Sequence, residues 1–293
     1  MIRLRPILSI CLAALCVSAA AGAQAPKKNP TSKLYVADTV GDNQINTGLE
    51  IDDLTKKSVY NAEGTSVQTK SDSNTSLVLS NGTGIYFDVN TLVHIQGFEQ
   101  DSFRPNRSDV EDEPSISRTH MVVEHGVIGV STSKLVAGST MVYDTSLATA
   151  VIRGRQAVIV AQDNLTVISM IQGEATVQAG PLGRPRLLKN HQQIIIRPGK
   201  PGEADIEEIQ DIPDGADSNA FQWLEERVLT ADAARKLVYF EVLARKGSDG
   251  GITLFDGGSN ASDSSDKEIV AVPVVPANPT VQPNVSPANL ISR

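Results

Sequence analysis

Apolar and polar residues alternate over short runs through the middle of this chain, and turn-forming residues cut the runs. Thr65-Ser66-Val67-Gln68-Thr69 repeats with period two, which predicts a half-buried strand. Residues 76–79 and 85–89 flank Asn81-Gly82. That pair tolerates the positive φ of a type I′ turn, so a hairpin is predicted there. Ile85, Phe87 and Val89 share one face; Val93 and Ile95 share another, with His94 on the opposite, solvent side. Short strands follow over 120–124, 126–130 and 134–136, separated by glycines. The stretch 140–178 continues the pattern. An apolar run at 157–161, a turn at Asp163-Asn164, a second run at 165–171, the break at Gly173 and the alternating 174–178 all read as scaffold. Ile194, Ile195 and Ile196 predict a last strand buried on both faces.

The period changes after Pro213. Asp217 or Ser218 can cap a helix that carries Phe221, Leu224 and Val228 on one side. Thr230-Ala231-Asp232 reads as the start of a second helix with Ala234, Leu237, Val238 and Val242 as its apolar face. Lys246 and Gly247 suit its end. The expected role of this segment, 213–247, is to cap an open end of the β-region. From 248 to 293 the chain is rich in Gly, Ser and Asp and then in Pro, and such a composition predicts a disordered tail. Residues 24–32 form a polar leader, and 33–40 are a candidate first strand.

The N-terminus sets the expected compartment. Arg3 and Arg5 precede an apolar run over 7–17, and Ala21-Gly22-Ala23 offers a cleavage site, so 1–23 reads as a signal peptide. The run is shorter than the roughly 20 residues of a spanning helix. Both cysteines lie inside it, which leaves the exported chain without disulfides or thiol chemistry. Loss of the two arginines takes the formal charge from −8 to −10, against nucleic-acid or anionic-membrane binding. No transmembrane span is expected after signal cleavage.

Candidate chemistry is sparse. The polar stretch 99–118 carries Asp109, Glu111, Asp112 and Glu113, but without the spacing of a calcium loop, and it reads as a solvated surface loop. His120, Glu124 and His125 do not share one strand face, which argues against a metal site. Phosphate loops, nucleophile elbows and zinc-helix motifs are missing from the sequence, and no catalytic residue, metal or cofactor is predicted. Aromatics make up only 4% of the chain. The strand tyrosines Tyr86 and Tyr143 are therefore the candidates for a sugar-stacking surface. The Gly/Pro/Arg-rich loop over 180–186, with Arg184 and Arg186, could cover a sheet edge or offer a small basic contact patch, and Arg155 is a further candidate for the binding surface.

Several pieces resemble the FecR domain, an extracytoplasmic β-domain of bacterial sensor proteins. They are residues 141–145, the run Ala148-Thr149-Ala150-Val151-Ile152-Arg153-Gly154, the Gly173-Glu174 corner, the closing strand from His191 to Gly199, and the 80–98 stretch. The chain departs from the family at Thr145-Ser146, where Thr-Pro is usual, and at Gly154-Arg155, where Gly-Thr is usual. The resemblance covers 48–199, following a leader at 24–47. The strand pattern itself supports an all-β core followed by the short helical segment and the disordered tail, and the resemblance implies that this core is a β-solenoid-like or roll-like stack of short strands. It also implies a non-enzymatic, exported binding or scaffold module of the cell envelope, in the periplasm or outside the cell, with a protein partner and a signalling connection. Only six residues precede the hydrophobic run, so this chain is not expected to relay to a sigma factor by itself. The alternatives are a carbohydrate- or peptidoglycan-binding protein, with a glycan as partner, and, ranked last, a β-solenoid hydrolase.

Overall fold

The computed structural model describes residues 32–103, 111–200, 203–213, 219–245, 252–254 and 267–273. The signal segment, Asp109, Lys246, Gly247 and most of the C-terminal tail lie outside the described residues.

Strands begin at Lys33, ahead of the 48–199 region that carries the family resemblance. The first are β1 (Lys33–Val40), β2 (Asn43–Asn46), β3 (Ile51–Asp53), β4 (Val59–Asn61) and β5 (Thr65–Thr69). Then come β6 (Asn74–Leu79), β7 (Gly84–Phe87), β8 (Leu92–Gln100), β9 (Ser117–Ser131) and β10 (Thr140–Asp144). The series continues with β11 (Ala148–Ile152), β12 (Gln156–Gln162), β13 (Leu165–Gln172) and β14 (Ala175–Ala179). It closes with β15 (Arg186–Leu188), β16 (Gln192–Arg197) and β17 (Ile206–Asp211). Hydrogen bonding links these 17 strands in two ladders that share β9. Sheet 1 runs β4-β1-β6-β7-β9-β12-β13-β16-β17, and sheet 2 runs β3-β2-β5-β8-β9-β10-β11-β14-β15. All neighbours are antiparallel except β9 and β10, and neither ladder closes on itself.

Alternation explains why the two sheets pack together. Each strand turns one set of side chains inward, and Ile45, Val67, Val93, Met121 and Tyr143 of sheet 2 join Leu77, Phe87, Ile128, Ile159 and Ile168 of sheet 1 in one core. Strand β9 crosses between the layers. Residues up to His125 pair in sheet 2, and residues from Gly126 pair in sheet 1. Gly126 sits at φ 100°, and a Cβ there would lie 2.3 Å from Thr91 Oγ1, so the corner requires glycine.

The Asn81-Gly82 hairpin forms with a different turn. Only Gly82 has positive φ, and the Leu79 amide bonds the Thr83 carbonyl, which gives a three-residue loop rather than type I′. The Asn81 side chain is drawn inward and donates to Ser117 Oγ at 2.9 Å.

The two expected helices are replaced by one helix and a strand. Helix α1 (Asn219–Arg235) runs straight through Thr230-Ala231-Asp232, and β18 (Val238–Arg245) follows it. Thr230 hydrogen-bonds the Glu226 carbonyl one turn back instead of capping a new helix. The run Val238-Tyr239-Phe240 is β-branched and aromatic, and it pairs as strand with β20 (Lys267–Pro273). Together with β19 (Ile252–Leu254), these make a three-stranded sheet that takes in parts of the segment expected to be disordered.

Helix α1 does not cap a sheet end. It lies on the outer face of sheet 1 and touches β1, β6, β7, β9, β12 and β13. Seventeen residues span about 25 Å, close to the roughly 24 Å across six strands, so the helix axis runs across the strands. Leu224 and Val228 pack on Val158, Ile171 and Ile212, and Ala234 packs with Tyr35, Val78, Val238 and Phe240. The middle strands of sheet 1 are therefore covered on both faces, whereas β4 and β17 at its edges stay largely exposed. Among the described residues, α1 leaves the outer face of sheet 2 uncovered.

Candidate functional site

The polar segment that was expected to be a solvated loop is partly internal. Glu113 is only 3% exposed. Its carboxylate accepts from Ser117 Oγ, from Ser139 Oγ at 2.6 Å and from the Val136 amide at 2.9 Å. These bonds tie the segment before β9 to the 134–139 turn. Burial pushes the Glu113 carboxyl above its ordinary 4.5, against the pull of the Ser117 and Ser139 hydroxyls and the Val136 amide. A carboxyl raised on folding binds its proton more tightly in the folded state. Its contribution to stability is full below 4.5 and is lost as pH rises through the raised value. Glu113→Gln should flatten that part of the profile, read as the urea midpoint followed from 4.5 upward in pH.

Next to this anchor, Glu111 meets two cations. It pairs with Arg155, and it accepts from Arg235 at 3.2 Å. Arg235 is held on its other side by Asp232 at 2.7 Å, and Asp232 also accepts from Ser131 at 3.0 Å. The C-terminus of α1 is thus clamped to β9 and to the 111–117 segment. Arg155, a candidate binding-surface residue from the sequence, belongs to this clamp.

The clamp floors a small, half-open cleft between α1, β18 and the segments around Gly82 and Asp112. Phe103, Pro114, Val238 and Phe240 supply apolar walls, and Asp112 and Tyr239 stand at its polar side. Such a cleft can take an apolar side chain, and its acidic side favours a neighbouring cation. Sequence reading did not find it. Its lining comes from five separate stretches, and the sequence pattern over 238–242 predicts helix where β18 forms.

A second cluster sits under the middle of α1. Arg227 Nε donates to Asp88 at 2.8 Å, and its guanidinium lies 3.6 Å from the centre of the Trp223 ring. Tyr86, on the same strand face, is raised in pKa by burial and by Asp88. On the exposed face of sheet 2, His120 Nε2 lies 2.7 Å from Asp144, which accepts from Thr149 at 2.6 Å. His94, on the solvent side as expected, pairs with Glu124 at 3.3 Å.

The paired tyrosine platform does not form. Tyr143 is 0% exposed, points between the sheets and has no hydrogen-bond partner for its hydroxyl, whereas Tyr86 lies under α1. Period-two alternation puts Tyr143 in register with inward Met121, so its burial follows from the strand pattern. Arg186 pairs with Glu207 at 3.2 Å, and Arg184 lies in the exposed loop before β15. Arg155 pairs elsewhere, with Glu111. Among the described residues, no group of three or more His, Cys, Asp or Glu side chains is placed to hold a metal. No helix among them is long and apolar enough to cross a membrane.

No family model and no curated protein matches the chain. Among solved structures, two crystal structures of a putative anti-sigma factor from Parabacteroides distasonis ATCC 8503 are similar, at 2.50 Å and 1.65 Å resolution. Each has a TM-score of 0.36, with 16% and 15% identity, and the match covers 50% of this chain. It spans 60% of the length of that protein.

Proposed function

We propose that this protein is an exported, FecR-like binding module of a bacterial envelope that works through protein–protein contacts and performs no catalysis. Its strands stack as a β-solenoid-like roll, and a partner docks an apolar side chain in the cleft between α1 and β18. The cleft is the observation that carries this reading: four apolar walls, an acidic side and a floor made rigid by the Arg235 clamp. A rigid floor lowers the ordering cost of binding. The glycan alternative loses its paired platform with the burial of Tyr143.

The test places a photo-crosslinking residue at Tyr239, inside the cleft, or at Thr176, on the exposed face of sheet 2. Crosslinking in envelope preparations should yield a discrete protein adduct from position 239 and none from 176, and Asp112→Lys should abolish it. An adduct from 176 alone would relocate the interface. Capture of peptidoglycan fragments alone would replace this reading with the carbohydrate one.

A further inference from the structure

We propose that copies of this chain join head to tail, the β15/β17 end of one against the β3/β4 end of the next. Among the described residues both ladders are open, so each end presents two strands paired on one side only. Large exposed apolar side chains gather at these edges. One end carries Leu187, 50% exposed, and Ile206, 60% exposed; the other carries Ile51, 66% exposed, and Val59. Isolated exposed apolar residues need no explanation, but their concentration on all four edge strands does.

Charge decides which edges can meet. In sheet 2, β15 and its flanks are basic, with Arg184, Arg186 and Lys189, whereas β3 and its approach are acidic, with Glu50, Asp52 and Asp53. In sheet 1 the signs reverse: β17 bears Glu207, Glu208 and Asp211, and the turn into β4 bears Lys56 and Lys57. Charged edges ordinarily block pairing. Here they block each edge from its own kind and favour opposite ends, with sheet 2 continuing into sheet 2 and sheet 1 into sheet 1. The Lys56–Asp38 pair within a chain is exposed at both partners and cheap to exchange, whereas Arg186 is half exposed and reaches the more buried Glu207 of its own chain, so Arg186 can serve both contacts at the rim. A closed two-fold dimer through β15 and β17 would leave Ile51 and Val59 exposed. A head-to-tail contact covers both ends and propagates into a ring or filament.

Light scattering and sedimentation of residues 24–293, which retain every described element, test this. The mass should climb past a dimer with concentration and fall as salt screens the edges. Arg186→Glu should weaken association at least about tenfold, and adding Asp53→Arg to the same chain should restore it. Ile51→Lys, at the other end and remote from the Arg186–Glu207 pair, should likewise weaken assembly while circular dichroism stays unchanged. A monomer at all concentrations overturns the proposal. So does a closed dimer indifferent to Ile51→Lys, and so does assembly that Asp53→Arg fails to rescue.

Discussion

Gly84→Val should lift α1 off sheet 1 and cost about 3 kcal/mol. A Cβ at Gly84 would stand 2.1 Å from the Ala231 carbonyl oxygen, and one at Gly129 would stand 2.7 Å from the Arg227 carbonyl carbon. Both obstacles are helix backbone, which cannot swing aside as a flexible side chain does. Two neighbouring strands, β7 and β9, therefore offer glycine surfaces on which the helix lies. Adding a branched side chain forces the helix outward and opens the contacts of Leu224 and Val228. Urea unfolding would measure the loss, and amide exchange would locate it. Protection should fall first at 224–234, while the strands between the two sheets keep theirs. Gly64→Ala is the control. Gly64 has φ 77° but nothing within 4 Å of a Cβ, so only the backbone strain remains, about 1 kcal/mol. Equal losses in the two variants would mean that helix docking is not what Gly84 protects.

Those glycines also mark where sequence reading stopped short. Period-two alternation located most of the strands, because a sheet buried on one face imposes that period directly. It said nothing of what covers the other face. Gly84 and Gly129 inside strands were the available hint, since a strand glycine often marks a close backbone approach. The spacing of Ala234, Leu237 and Val238 suits a helix, and it outweighed the β-prone Val238-Tyr239-Phe240 run. Pairing with Ala271, Val272 and Pro273 of β20, far along the chain, settled that segment as strand, and no local pattern carries so distant a partner. Glu113 was hidden for a similar reason. It lies in an acidic run that looks solvated, yet its acceptors are filled by Ser117 and Ser139 across a turn. The cleft combined both failures, because it needs β18 as strand and the 111–117 segment held inward. Of the five residues singled out for binding, Tyr143 was misplaced although the pattern of β10 itself pointed it inward.

Arg235→Met should cost about 2–3 kcal/mol, less than the full penalty for breaking a buried ion pair. The Arg235 side chain is 2% exposed, and methionine fills much of its volume, so packing is largely kept. What goes is the charge that holds Asp232 and Glu111. Asp232 retains Lys236 at 2.7 Å, and Glu111 retains Arg155 and is half exposed, which is why the loss falls short of the full penalty. Arg155→Met, which leaves Arg235 in place and alters a more exposed side chain, should cost below about 1 kcal/mol. The acid side of the stability curve separates the two roles. Burial raises the Asp232 carboxyl, but its bonds to Lys236, Arg235 and Ser131 outweigh burial and hold it below 3.8; Glu111 is lowered first by Arg155 and also by Arg235. Carboxyls lowered on folding stabilise fully above their ordinary values, and that contribution is lost as pH falls through the lowered ones. Arg235→Met should therefore flatten the fall in stability below about pH 4.5 and lower the plateau above it. A uniform drop with the same acid slope would mean that Arg235 acts through packing alone. The clamp would then be incidental to the cleft it floors.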